Sequence, residues 1–145
     1  MKKLFLVLAL VAALSSAAFA AAETAVEQEN YPQLAAQAAL RSQKLREAAP
    51  EMMDAFKGLA AATLRKDGPL SMKTKELIAL MLGLQSHCQM CINSHVQGAI
   101  KAGVTREELV DALGVAVLMG GGPSSAYAAI VLEAYDQFSA KMNAK

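Results

Sequence analysis

Along this chain the apolar residues recur at intervals of three and four, and no stretch alternates apolar with polar over the length of a strand. A spacing near 3.6 lines side chains along one stripe of an α-helix, whereas a strand needs a period of two. Ala, Leu and Met dominate and β-branched residues are sparse, which favours helix again. Pro and Gly cut the pattern into pieces. Pro32 suits a first helical position and opens a helix to about Ala48, with Leu34, Ala38, Arg41 and Leu45 on one stripe. Pro50 opens the next, with Met53, Phe56, Ala60 and Leu64 as its stripe. Lys66-Asp67-Gly68-Pro69 reads as a turn. Ser71 caps a helix over 72–86, and another runs from about 88 to Ala102 and stops at Gly103. Thr105 and Glu108 form a capping box for the next helix. Gly120-Gly121-Gly122-Pro123 stops that one and starts a last helix to about Ala140. Five or six helices with short connections make an all-α fold, a compact bundle of antiparallel neighbours in one domain over 32–145.

The first twenty residues follow a different logic. Lys2 and Lys3 precede Leu4 to Leu14, a run without a polar residue, and Ala18-Phe19-Ala20 supplies a small-x-small pattern. That is the anatomy of a signal peptide with cleavage after Ala20, Ala22 being the next best site. An uncleaved anchor is the competing reading, weakened by the Ala and Ser that fill the distal half of the stretch. No Cys occurs before Cys88 and no twin-Arg pair is present, so general export of an unfolded chain to the periplasm or medium is expected. Residues 21–31 are polar and read as a flexible arm.

Loss of 1–20 removes two lysines and no acid, leaving 12 basic against 13 acidic residues. With no basic excess, nucleic acid is not an expected partner. Two cysteines are too few to staple a scaffold, although export places them in an oxidising compartment.

Those cysteines lie together in His87-Cys88-Gln89-Met90-Cys91-Ile92-Asn93-Ser94-His95, at the N-terminus of a central helix. At 100° per residue Gln89, Asn93, Gln97 and Lys101 make the wet side of that helix. Cys88, Cys91, Ile92, His95, Ala99 and Ala102 share the buried side. Residues three apart on a helix have Cα atoms roughly 5–6 Å apart, within the span of a disulfide. The positive end of the helix favours thiolate, and His95, one turn beyond Cys91, can take its proton or stabilise its anion. Glu76 is the last charge before ten uncharged residues, Leu77 to Ser86. It stacks with Ala79, Leu80 and Gly83 and so borders an apolar surface. A carboxylate there needs a partner, and His95 fits. The expected relay runs from Glu76 to His95 to Cys91, with Cys88 as the exchange partner.

Other readings compete. An inert structural disulfide is the common use of two exported cysteines, but a loop with two intervening residues stabilises a fold little. A zinc-binding or structural module could use Cys88, Cys91 and His95 with Glu76 or His87, yet lacks the second pair usual in structural sites. Haem attachment needs His directly after the second Cys, where Ile92 stands. No cofactor is expected. His87 beside Cys88 can raise thiolate character or cap a helix, and the eight Met residues fit core packing.

Pro50 to Phe138 resembles the carboxymuconolactone decarboxylase superfamily, in its alkylhydroperoxidase D-like branch. The resemblance is carried by Lys66-Asp67-Gly68-Pro69-Leu70-Ser71, Lys73-Thr74-Lys75-Glu76-Leu77-Ile78-Ala79-Leu80 and Cys88-x-x-Cys91-x-x-x-His95. It continues through Ala102-Gly103-Val104-Thr105-Arg106-Glu107-Glu108 and Met119-Gly120-Gly121-Gly122-Pro123. It implies an all-helical fold that assembles as a trimer or a multiple of one, and a thiol peroxidase cycle acting on a hydroperoxide. Cys91 would attack the peroxide, Cys88 would be its more exposed partner, and His95 with Glu76 would relay the proton. Where some branch members carry a His between the two Cys, this chain has Gln89 and Met90. The name-giving decarboxylases lack the Cys pair, which points away from decarboxylation. A thiol or dithiol reductant is required, and its identity is open. The alternative within enzymes is thiol–disulfide exchange with protein partners, without peroxidase activity.

Overall fold

A computed structural model describes residues 28–144, and the expected signal peptide lies outside the described residues. Five α-helices follow one another with no strand among the described residues: α1 (Tyr31–Ala48), α2 (Pro50–Thr63), α3 (Met72–Gln85), α4 (Gln89–Lys101) and α5 (Arg106–Asn143). The capping residues anticipated from the sequence act locally. Ser71 accepts from the Thr74 amide at 3.1 Å, and Thr105 and Glu108 close a reciprocal capping box.

The Gly-rich run before Pro123 bends the chain without opening a loop. Only Gly121, at φ 66° and ψ −148°, leaves helical geometry, so two helical halves abut across one kink. Gly tolerates that backbone at no steric cost. Pro123 falls in the first turn of the second half, where a missing N–H costs nothing.

The core forms where α3, α4 and α5 pack on each other. Leu80, Leu84, Ile92, Val96, Ala99, Leu109 and Val131 are fully enclosed there. Burying one such Leu, Ile or Val side chain contributes about 1.5–3 kcal/mol relative to leaving it in water. The Tyr135 hydroxyl donates to the Val104 carbonyl at 2.7 Å and pins the α4–α5 connection to α5.

α1 lies on α4 and α5, while among the described elements α2 packs on α1 alone. Two expectations change here. The arm expected to be loose through residue 31 ends earlier, because Tyr31 is helical and 1% exposed. Its amide donates to Gln137 Oε1 at 3.0 Å, and Gln137 Nε2 returns to the Glu29 carbonyl. Burial, with Glu133 and Glu29 nearby, pushes the Tyr31 phenol well above its ordinary range. Phe56, expected on the covered stripe of α2, is exposed, and α2 buries no residue at all. With α1 as its only neighbour among the described residues, the helix has one thin contact line and an apolar face that those residues leave uncovered.

Candidate active site

The site is built on the turn between α3 and α4. The Cys88 amide donates to the Gly83 carbonyl and the His87 amide to the Leu84 carbonyl, both at 3.0 Å. This is a Schellman ending for α3, with His87 in the position that requires positive φ. α4 ends in the same motif, but with Gly103 (φ 79°) in that place. His87 adopts φ 53°, a conformation Gly takes freely and a side chain with a Cβ adopts at a cost of order 1–2 kcal/mol. Its ring stacks on Tyr127 of α5, with centroids 4.2 Å apart and planes within 11°.

One residue later, Cys88 is the N-cap of α4. Its Sγ accepts from the Cys91 amide at 3.2 Å, and the two cysteines are joined as a disulfide with Cα atoms 5.2 Å apart. The helix N-terminus and the sulfurs therefore share one space, which favours negative charge on sulfur once the bond is reduced. Upstream, Gln85 ties the turn to α5. Its Nε2 donates to the Ala116 carbonyl at 2.8 Å and its Oε1 accepts from buried Ser124 at 2.9 Å. The turn that carries Cys88 is thus held to both sides of the Gly121 kink.

Glu76 and His95 meet, on α3 and α4. Glu76 Oε2 lies 2.8 Å from His95 Nδ1, with the carboxylate side chain 9% and the imidazole 25% exposed. The pair is shielded enough that neither group can be fully satisfied by water. An ionised carboxylate only accepts, so Nδ1 donates and Nε2 is left as the working nitrogen. His95 stands one turn from Cys91 on the same helix, a separation of about 5–6 Å between Cβ atoms.

The expected wet side of α4 needs correction at one residue. Asn93 is 2% exposed, because α1 crosses that face. Its side chain accepts from Gln89 Nε2 and its carbonyl from Gln97 Nε2, both at 3.0 Å, and among the described residues no buried side-chain polar atom is stranded. Two glycines have a packing role that the sequence does not reveal: Gly83, expected only to share a face with Glu76, and Gly98. A Cβ at Gly83 would lie 3.0 Å from Cys91 Cβ, so this glycine lets α3 and α4 close up at the cysteine. Gly98 does the same beneath Glu76. The available signal is a glycine inside a helical pattern, where Ala is the better helix former. Among the described residues no three His, Cys, Asp or Glu are gathered to hold a metal.

The family model for the carboxymuconolactone decarboxylase family matches residues 50–134, and this chain belongs to that family. A solved structure, the apo form of a carboxymuconolactone decarboxylase family protein from Legionella pneumophila, is similar to it. It superposes with a TM-score of 0.73 at 45% identity, over 77% of this chain and 99% of that one. Two relatives of uncharacterised function are also similar. One, from Cupriavidus necator, is 38% identical over 96 residues, covering 66% of this chain and 84% of that protein. The other, from the cox locus of Paracoccus denitrificans, is 37% identical over 84 residues, covering 58% and 75%.

Proposed function

We propose that this protein is an exported thiol peroxidase of the alkylhydroperoxidase D-like kind, working through Cys88 and Cys91. The observation that carries the reading is the disulfide at the α4 N-terminus with the Glu76–His95 pair one turn away. In the reduced protein the Cys91 thiolate attacks the distal peroxide oxygen of ROOH. The O–O bond breaks, Cys91 becomes a sulfenic acid, and the alkoxide leaves as ROH with a proton from His95. The Cys88 thiol then attacks the Cys91 sulfur, forming the disulfide and releasing water. A dithiol or two thiols return the pair to the reduced state and are themselves oxidised to a disulfide. Glu76 holds the imidazole in the tautomer that presents Nε2 and supports its charge while it carries the proton.

Cys91→Ser should abolish hydroperoxide consumption by the pre-reduced protein, while Cys88→Ser should leave a single stoichiometric turnover. Unchanged activity in Cys91→Ser would remove the assignment. A second reading is favoured by the amide hydrogen bond to Cys88 Sγ, which would stabilise that thiolate for exchange with a protein disulfide. Reduction of a protein disulfide by the reduced enzyme, with no peroxide consumption, would select it.

Two further proposals accompany the activity. The chain is exported and cleaved near Ala20, which N-terminal sequencing of the protein from the periplasm or medium tests. It assembles as a homo-oligomer, a trimer or a multiple of one. The support is apolar surface that the described residues leave exposed: Phe56 and Leu59 on α2, Leu82 on α3, and Val115, Leu118 and Met119 on α5. Light scattering on the purified protein gives the number, and a monomer at micromolar concentration would refute it.

A further inference from the structure

We propose that Gly98 is a positioning residue of the thiol centre: its missing side chain leaves on α4 the notch in which the Glu76 carboxylate sits against His95. The inference rests on the Glu76–His95 relay proposed above and extends it to a residue that carries no chemistry itself.

Gly98 stands three residues after His95, on the same face of α4. A Cβ built there would lie 2.6 Å from Glu76 Oε1 and would overlap Oε2 and the carboxyl carbon as well. All three of the nearest atoms belong to that carboxyl group. Usually the end of a long side chain can step aside, but this one is enclosed, 7% exposed for the whole residue, and bonded to His95 at 2.8 Å. The group that must make room for a methyl group is thus the same one that holds His95 Nδ1. Among the other helical glycines, Gly58, Gly114 and Gly122 have nothing within 4 Å of a built Cβ, while Gly83 and Gly120 are crowded by Cys91 and by Ser124 and Gln85; at Gly98 the crowding atoms are those of a carboxylate.

The titratable groups gathered about the centre come from several elements. α3 brings Glu76, the turn brings His87 and Cys88, α4 brings Cys91 and His95, and α5 brings Tyr127 through its stack on His87. α1 faces α4 with Ala35, Ala38, Ala39 and Ser42, none of which titrates at the pH of interest. Of these groups, the Glu76 carboxyl group supplies all three atoms nearest to a methyl group at position 98.

The test uses the reduced full-length chain with Cys88→Ser, so that Cys91 alone reacts. Gly98→Ala, Glu76→Gln, Glu76→Ala and Glu76→Ala with Gly98→Ala are compared, with Gly114→Ala as the control. Nitrogen-edited NMR reads the hydrogen-bonded Nδ1 proton of His95, and iodoacetamide alkylation reads the pH midpoint of Cys91. Gly98→Ala should lose the Nδ1 proton signal and move the midpoint up by about one pH unit, roughly tenfold in rate below it. Gly114→Ala should change neither. Adding Gly98→Ala to Glu76→Ala should cause no further shift and should raise the thermal midpoint, since only helix propensity is then altered. That pair decides the matter even if Gly98→Ala alone fails to fold.

The inference is overturned if Gly98→Ala keeps the Nδ1 signal, or if it shifts the midpoint further when Glu76 is already Ala. A midpoint that ignores Glu76→Gln would instead reject the relay, and the NMR signal would still report on Gly98.

Discussion

Two helical hairpins meet opposite fates in this molecule. α1 and α2 are joined through Ala49 alone, and α2 buries nothing although Met52, Phe56 and Leu59 punctuate it. α3 and α4 are joined through a three-residue turn, and between them they enclose Glu76, Leu80, Gly83, Leu84, Ile92, Asn93, Val96 and Ala99. The difference lies in the neighbours. α3 and α4 are packed on each other and both on α5, whereas among the described elements α2 touches only α1. Periodicity says which residues share a face, and the arrangement of elements decides whether that face is covered. The candidate chemistry sits in the covered hairpin, where a carboxylate and an imidazole can be held away from water and in register with a thiol.

The largest expected contrast is in stability. Leu84→Ala opens a cavity in the enclosed hairpin and should cost about 3 kcal/mol, as buried Leu truncations do. Leu59→Ala, in the exposed hairpin, should cost under about 0.5 kcal/mol in a single chain. Urea unfolding midpoints check both. A concentration-dependent loss at Leu59 would instead show that a second copy covers α2.

Gly83→Ala comes next. Its Cβ would press on Cys91 Cβ, and overpacking of this kind should cost about 1–3 kcal/mol. The same unfolding experiment reads it, and a neutral result would mean that α3 and α4 can part at the cysteine without loss.

Glu76→Gln should move the pH midpoint for Cys91 alkylation upward by about one unit, about 1.4 kcal/mol in the thiolate equilibrium, without unfolding the domain. The sign follows from the chain of charges. A neutral amide supports imidazolium less than a carboxylate does, and a less charged His95 supports the thiolate less. An unchanged profile would leave the buried pair a purely structural one.

The smallest effect belongs to the surface pair that ties α3 to the start of α5. Lys73 Nζ and Glu108 Oε2 are 2.8 Å apart, and Lys73, then the Thr105 amide, lower the Glu108 carboxyl below its ordinary value. A carboxyl lowered in the folded state contributes stability above its unfolded-state pKa and loses it as pH falls through the folded one. Lys73→Met should therefore lower the thermal midpoint slightly at pH 7 and not at all in strong acid. Added salt should shrink the difference.

Much of this was readable in the amino-acid sequence, for identifiable reasons. Helices stop and start where Pro32, Pro50, Ser71, Thr105 and Gly103 say, because those residues satisfy or remove particular backbone groups. The nearness of Glu76 to His95 was readable because a carboxylate beside an apolar run must find a partner. Asn93 was not, since a polar residue facing α1 looks the same in sequence as one facing water. Tyr31 was missed for a similar reason: its anchor, Gln137, is 106 residues away. Gly83 and Gly98 show only as weak spots in helical patterns until the atoms opposite them are known. The strained turn at His87 has no local signal either, because the residue in that position is ordinarily Gly.

Turnover of a hydroperoxide by Cys88 and Cys91 together, proposed above, is open to direct measurement. Intact-mass measurement of the reduced protein before and after one mole of an organic hydroperoxide, with the thiols trapped, tests it most directly. Both trappable thiols should be lost, and the mass should fall by two hydrogens per chain. In Cys88→Ser, a single added oxygen should appear on Cys91. Two fully trappable thiols after peroxide treatment would contradict it.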